Sequence, residues 1–177
     1  MAFMLRVAIL ILLAGCTANE GDTSSTKAVV ETCAAGADPQ IVAGHGELSY
    51  EEFDQGGDTN VELIHGPQGG FHSTIAVRGI YLDLEISYHI RLVGTIDGTE
   101  MGWGTPYSQF RCNYQAGAQE YTGGLLIWDA SPEDLHGKVA NVEITVLDPT
   151  KESAEGGPTV VAQDSAEFTI WDPTLEI

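Results

Sequence analysis

Two histidines, His65 and His72, stand on either side of a Gly-Pro-Gln-Gly-Gly turn in the stretch "ELIHGPQGGFH". By type and spacing they are the residues here best suited to hold a transition metal. Imidazoles on facing strands of a hairpin can begin a copper or zinc site when their Cβ atoms sit about 5 Å apart on one face. That geometry needs a loop of two or four residues. The turn chemistry favours three: Pro67 suits the first turn position, Gln68 the second, and Gly69 the left-handed position that closes a three-residue loop with a bulge. This register sets Val61 beside Ile75 and Leu63 beside Ser73. It puts His65 on the core-side face at the strand end and turns His72 and the Gln68 tip to solvent. The expectation is a hairpin offering Gln68 and His72 as contact points, with no metal ligands and no cofactor. A copper- or zinc-binding protein using His65 and His72 is the competing reading.

Other candidate chemistry is thinner. The adjacent carboxylates Glu51 and Glu52, or Glu133 and Asp134, would suit a carbohydrate-active hydrolase, which needs one carboxyl as acid and another as base or nucleophile. With 26 acidic residues in 177, neighbouring acids are expected by chance, so the chain reads as a non-enzyme. "GTIDGTE" has the acidity of a calcium loop but lacks its alternating ligands and closing glutamate, and it reads as a hairpin turn. No G-x-S-x-G, H-E-x-x-H, phosphate-loop or dinucleotide pattern occurs. "MGWGTPY" places Trp103 and Tyr107 on a Gly-rich loop, where exposed aromatics would contact a carbohydrate or a protein.

The elements that must carry these residues are strands. In "YLDLEISYHIRLV", residues 81–93, Leu82, Leu84, Ile86, Tyr88, Ile90 and Leu92 alternate with Asp83, Glu85, Ser87, His89 and Arg91. That period of two predicts a strand with one buried and one wet face, His89 on the wet one. Similar runs are "GELSYEEF", "NVELIH", "FHSTIAVR", "SQFRCNYQ", "EYTGGLLIWD", "VANVEITVLD" and "AEFTIW". Between them lie turn-rich pieces such as "DQGGDTN", "TIDGTEMGWGTP" and "DPTKESAEGGP". Only "SPEDLHG" suggests helix, capped by Ser131, opened by Pro132 and stopped by Gly137. Seven to eight strands at this spacing predict an all-β fold, an immunoglobulin-like antiparallel β-sandwich over residues 41–177, with the last two runs as its final hairpin.

Charge narrows the partners. Past residue 15 the chain has six Lys and Arg against 26 Asp and Glu, a side-chain charge of −20. Six scattered cations cannot build the basic face that nucleic acid or anionic lipid requires. The acidity suits a solvated, exported surface, or attraction to cations. Of the three cysteines, Cys33 and Cys112 form an even pair for an oxidising compartment. A disulfide between them would close about 80 residues and contribute roughly 4 to 5 kcal/mol on chain-entropy grounds. A reactive thiol at Cys112 would need a partner base or ligand that "QFRCNYQ" does not supply.

The third cysteine belongs to the start of the chain. "MAFMLRVAILILLAGC" has Arg6, an apolar run from Val7 to Leu13 too short to span a bilayer, and small residues up to Cys16, so residues 1–15 read as an export signal. Leu13-Ala14-Gly15-Cys16 resembles the lipobox of bacterial lipoproteins. The resemblance implies cleavage before Cys16 and lipidation of that cysteine, with Thr17 in place of a retention Asp directing the protein to the outer membrane. Residues 16–40 then form a lipidated flexible tether, polar and without sustained apolar period. With its lipobox, second cysteine and Gly66-Pro67-Gln68-Gly69-Gly70-Phe71-His72, the chain resembles a group of uncharacterised myxobacterial-type lipoproteins. What this implies is a lipid-anchored β-sandwich, a binding or structural module of the cell envelope. Its partners would be the membrane through the anchor and an envelope protein or carbohydrate.

Overall fold

A computed structural model describes residues 33–54 and 56–175; the stretch expected to be an export signal, Cys16, and the expected tether as far as residue 32 lie outside the described residues. The described chain is strand and turn with one helical turn. In chain order the strands are β1 (Gln40–His45), β2 (Glu51–Glu52), β3 (Asn60–Glu62), β4 (Ile64–His65), β5 (Phe71–Ile80) and β6 (Tyr88–Ile96). Then come β7 (Thr99–Gly104), β8 (Tyr107–Ser108), β9 (Arg111–Asn113) and β10 (Ala118–Trp128). Helix α1 (Pro132–Leu135) precedes the long final hairpin of β11 (Val139–Glu152) and β12 (Pro158–Trp171). The hydrogen-bonded order is β2-β1-β5-β10-β7-β6-β11-β12-β3, with β4 on β5, β8 on β6 and β9 on β10.

This sheet folds over on itself to make the antiparallel, immunoglobulin-like sandwich that the strand pattern predicts. Trp128 of β10 packs against Phe168 of β12 at 6.4 Å between ring centroids, although β7, β6 and β11 separate their strands in the ladder. Between the layers Ile75, Leu92, Leu126, Ile144 and Phe168 are fully buried. Each contributes on the order of 1.5–3 kcal/mol relative to exposure. The fold turns its corner at β7, which meets β10 through only Ile127↔Trp103 and Trp128↔Gly102. Glycine is required there, because a Cβ on Gly102 would lie 2.7 Å from the Trp128 ring, and one on Gly94 of β6 2.8 Å from it.

Three expectations change. Residues 82–87 are not strand: β5 ends at Ile80, Tyr81 takes a left-handed φ of 63°, and the Asp83 side chain accepts from the Glu85 N–H to hold a turn. The alternation nevertheless reported burial correctly, since Leu82 and Tyr88 are buried and Leu84 and Ile86 pack on the core. "TEMGWG" is strand β7 rather than loop, its glycines marking close approach instead of a turn. And the run at 60–65 divides: Ile64 and His65 pair with β5, while Val61 pairs in parallel with Ile170 of β12 instead of standing beside Ile75. The cause is competition for an edge, because β1 already occupies β5 from Ile75 to Ile80. Val61 and Leu63 stay buried by closing the sandwich between β12 and β5.

Other local readings hold. Asp97 and Gly98, at φ 50° and 75°, form the two-residue hairpin turn of "TIDGTE". Ser131 accepts from the Asp134 N–H at the start of α1, with Pro132 at its first turn and Gly137 left-handed beyond it.

Candidate contact face

The hairpin at 64–72 has the three-residue loop that its turn residues dictate. Ile64 pairs with His72 and His65 with Phe71; the Gly66 N–H donates to the Gly70 carbonyl at 2.8 Å, leaving residues 67–69 as the loop. Direct partners share a face, so His65 and His72 lie on opposite faces of the hairpin. The register that would have paired them as ligands is not formed. Among the described residues no three His, Cys, Asp or Glu side chains group as a metal site.

His65 is instead part of a structural knot. Its Nε2 donates to Asp172 Oδ2 at 2.7 Å, and its ring meets Phe71 edge-on at 5.1 Å. Asp172 is wholly buried just past β12; its Oδ1 accepts from the Thr174 N–H and Oγ1 at 2.8 and 2.7 Å. The Asp172 N–H donates to Nδ1 of His136, at the end of α1. Burial alone would raise the Asp172 carboxyl, but the hydrogen bonds from Thr174 and His65 outweigh it and hold it below the usual carboxylate range. Asp148-Pro149-Thr150 repeats the device in β11, with Asp148 Oδ1 accepting from the Thr150 N–H and Oγ1 and the Lys151 ammonium 3.1 Å from Oδ2. The repeated Asp-Pro-Thr was the available sequence signal for both knots.

On the other face, two of the candidate contact residues, His72 and Trp103, are brought together by a third residue, Ile127, that the sequence did not single out. His72 pairs with Ile127 and Ile127 with Trp103, so the three stand side by side across β5, β10 and β7, flanked by Ile64 on β4. His72 is half-buried rather than free in solvent, because the hairpin overhangs it. Gly66, Pro67 and Gln68 wall an apolar groove of about 310 Å³ floored by His72, Leu125 and Ile127. Trp103 is 52 % exposed and Leu125 44 %. Tyr107 does not join them directly: it sits on β8 and stacks on His89 of β6 at 4.7 Å, covering the histidine expected on the wet face. Ile127 was hidden in sequence, since in "GGLLIWD" only the structure separates Leu126 and Trp128, in the core, from Leu125 and Ile127, outside it.

The carboxylate pairs do not converge. Glu51 and Glu52 are successive residues of a strand and point to opposite faces, and Asp134 accepts from the Ser131 hydroxyl as part of a helix cap. A separate cleft of about 450 Å³ between β1–β2 and β11–β12 carries Glu52, Asp54, Asp164 and Glu167. Asp164 is occupied there, its Oδ2 accepting the Ala43 N–H at 2.8 Å and so covering a backbone donor on the open edge of β1.

At the opposite end from the hairpin, Cys33 and Cys112 are bonded, with Cα atoms 5.6 Å apart. Beside them the fully buried Gln119 of β10 makes three hydrogen bonds. Its Oε1 accepts from the Leu82 N–H at 2.8 Å, and its Nε2 donates to the carbonyls of Leu82 at 2.7 Å and Cys33 at 3.1 Å. Nothing in the polar-looking "GAQEY" marks this residue as core.

No family model and no curated protein matches the chain. Among solved structures it is similar to a bacterial adhesin from Mobiluncus mulieris containing intramolecular disulfide, isopeptide and ester bond cross-links. Two crystal forms give TM-scores of 0.43 and 0.44 at 11 % identity, covering 76 % of this chain and 58 % of that one.

Proposed function

We propose that this protein is a lipid-anchored binding module of the bacterial outer membrane, without catalytic activity, that holds a polypeptide partner on the outer face of β4, β5, β10 and β7. One observation carries the reading: His72, Ile127 and Trp103 stand in a single cross-strand row beside the groove under Gln68. An exposed aromatic beside an apolar groove is the composition of an interface centre, where desolvating a few large side chains supplies most of the binding energy. A sugar ligand would need a dense set of hydrogen-bonding groups, and this face offers chiefly Gln68 and His72. An apolar partner side chain lying in the groove, with the partner's surface against Trp103, fits better. The lipobox-like start supports the anchor, and the net charge of −20 past residue 15 supports a soluble body held clear of anionic lipid.

The test is recovery of partners from intact outer-membrane preparations with the full acylated chain, beside Trp103→Ala and His72→Ala. Binding that is lost in both variants, and lost again when the preparation is first treated with protease, is the expected result. Binding that survives protease but not glycan digestion would make the ligand a carbohydrate. Binding unchanged by either substitution would remove this face from consideration.

A further inference from the structure

Strand β10 has a break in its cover. On the side away from β5, β9 pairs with it only from Ala118 to Glu120 and β7 only at Ile127 and Trp128, so the ladder there is interrupted between Glu120 and Ile127. A bulge falls in the same stretch. The register with β5 slips between Tyr121 and Gly124, and Gly123 takes a left-handed φ of 72°. Such bulges re-aim the side chains beside them, here Thr122. The chain passes from β8, on β6, to β9, on β10, through Gln109 and the buried Phe110. Beside this crossing lies a cleft of about 190 Å³ lined by Ser108, Gln109, Arg111, Glu120, Tyr121 and Thr122.

Several polar groups of this cleft are uncommitted. Arg111 stands directly opposite Glu120, yet the two form no ion pair among the described residues. Glu120 is already held: its Oε1 accepts from Nε and Nη2 of Arg78 at 3.1 and 2.8 Å, and its Oε2 from Nδ2 of Asn113 at 2.9 Å. With 26 Asp and Glu against seven Lys and Arg, an arginine beside a carboxylate is expected to be paired. Arg111 is left over because Arg78 has taken its neighbour. The Tyr121 side chain is buried, and its hydroxyl, beside Gly124, has no hydrogen-bond partner among the described residues. A buried hydroxyl in that position is costly unless a polar group enters the space next to it. Gln109 uses only its Nε2, which donates to the Glu85 carbonyl at 3.2 Å.

We infer that this cleft binds a single carboxylate-bearing sugar residue, its carboxylate on Arg111 and its ring hydroxyls against Gln109, Glu120, Tyr121 and Thr122. Each half of the cleft selects one half of that ligand. A guanidinium matches a carboxylate through two parallel N–H···O bonds. A carboxylate alone would leave the hydroxyls and the amide without partners. A sugar hydroxyl both donates and accepts, so a ring carrying several can satisfy Tyr121 and Thr122 while donating to the remaining lone pair of Glu120 Oε2. Glu120 is fixed by three hydrogen bonds, and β9 by the bond from Cys112 to Cys33, so little ordering is left for the ligand to impose. The acidity of the body does not forbid one negative charge here, since charges beyond about 8 Å are largely screened at physiological salt. It does favour a lone acidic residue or a chain end over an extended polyanion.

Ligand-observed magnetic resonance on the full chain tests this with three probes: methyl glucuronide as its carboxylate, methyl glucoside, and N-acetylglutamate. No polypeptide is present, so the result is independent of whether the face around Trp103 binds one. The glucuronide is expected to bind about tenfold more tightly than either of the others, because only it engages both halves of the cleft. Arg111→Ala should bring the glucuronide down to the level of the glucoside. Lys138→Ala, which removes the same charge at the hairpin end, should leave it unchanged. Tyr121→Phe and Thr122→Val should weaken both sugars and leave N-acetylglutamate as it was, with circular dichroism establishing that each variant is folded. The proposal is overturned if the glucuronide does not bind at millimolar concentration, if it binds no more tightly than the glucoside or N-acetylglutamate, or if Arg111→Ala binds it as the unaltered chain does.

Discussion

Replacing Gln119 by Met tests whether a single amide holds the entry segment, the β5–β6 connection and β10 together. Methionine matches glutamine closely in shape, so the change removes polarity with little cavity. Three hydrogen bonds disappear, and both backbone groups of Leu82 lose their partner while remaining fully buried. A buried group left unpaired costs about 1–3 kcal/mol, and the Cys33 carbonyl, less buried, costs less. Relief from burying the amide itself returns part of this, leaving a net loss of about 2–4 kcal/mol. That is a large share of the 5–15 kcal/mol typical of a domain. Urea unfolding of the oxidised protein, followed by the three tryptophans, should show the midpoint fall by about 1–2 M at unchanged slope. Gln119→Glu sharpens the test. A glutamate still accepts from the Leu82 N–H, but when ionised it presents an acceptor to two carbonyls. Its folded pKa must therefore rise above the unfolded value of about 4.3. The stability of this variant is then fully present below that value and is lost as pH rises through the folded pKa. A loss under about 0.5 kcal/mol in Gln119→Met, the range of an inert surface change, would refute the reasoning.

Asp172 works in the opposite sense. Its folded pKa lies below the ordinary 3.8, so its contribution is present above that value and is lost as pH falls through the folded pKa; Asp172→Asn should flatten the acid limb of the stability profile in chemical unfolding. Gly102→Ala drives a methyl into the Trp128 ring at the corner of the sheet and should cost about 1–3 kcal/mol, with a changed near-ultraviolet tryptophan signal that Gly98→Ala, in the open turn, does not share. Reduction of Cys33–Cys112 should cost about 4–5 kcal/mol for the loop of 79 it closes, measured as the shift in urea midpoint on adding reductant. Zinc or copper titration should give no stoichiometric site that His72→Ala abolishes, because the hairpin sets His65 and His72 on opposite faces.

The hairpin shows what a sequence can carry. Pro67, Gln68 and Gly69 fix local dihedrals, and local dihedrals fix register, so the loop length and the separation of His65 from His72 were legible. The partner of the first arm was not. Val61 keeps its buried side chain whether it lies beside β5 or β12, and the choice falls to which edge β1 leaves open. The same distinction explains residues 82–87, where apolar alternation recorded which side chains are buried, while the turn was imposed by Tyr81 and the Gln119 amide. It also explains "MGWGTP": glycine serves both turns and close approach, and only Trp128 on another strand decides between them.

Strand β10 joins these observations into one argument about rigidity. At one end Gln119 is wholly buried and makes three hydrogen bonds; at the other, Leu126 and Trp128 are buried on the core face while Leu125 and Ile127 face out. Trp128 is further fixed by its Nε1–H donating to the buried Ser73 Oγ, which stands beside His72 in the chain. The outward residues therefore alternate with locked inward ones along the same backbone and would lose little freedom to a partner of the kind proposed. Ordering interface side chains costs about 0.5–1.5 kcal/mol each, so residues held this way enter a complex with much of that cost already met by folding. Trp103 is the exception, half exposed on the short corner strand, where the glycines Gly102 and Gly104 flank it. In the binding proposed above, affinity should depend more on Trp103 than on His72, because Trp103 has the larger apolar surface still to bury, a gain of about 25 cal/mol per Å² that exceeds the cost of ordering one side chain.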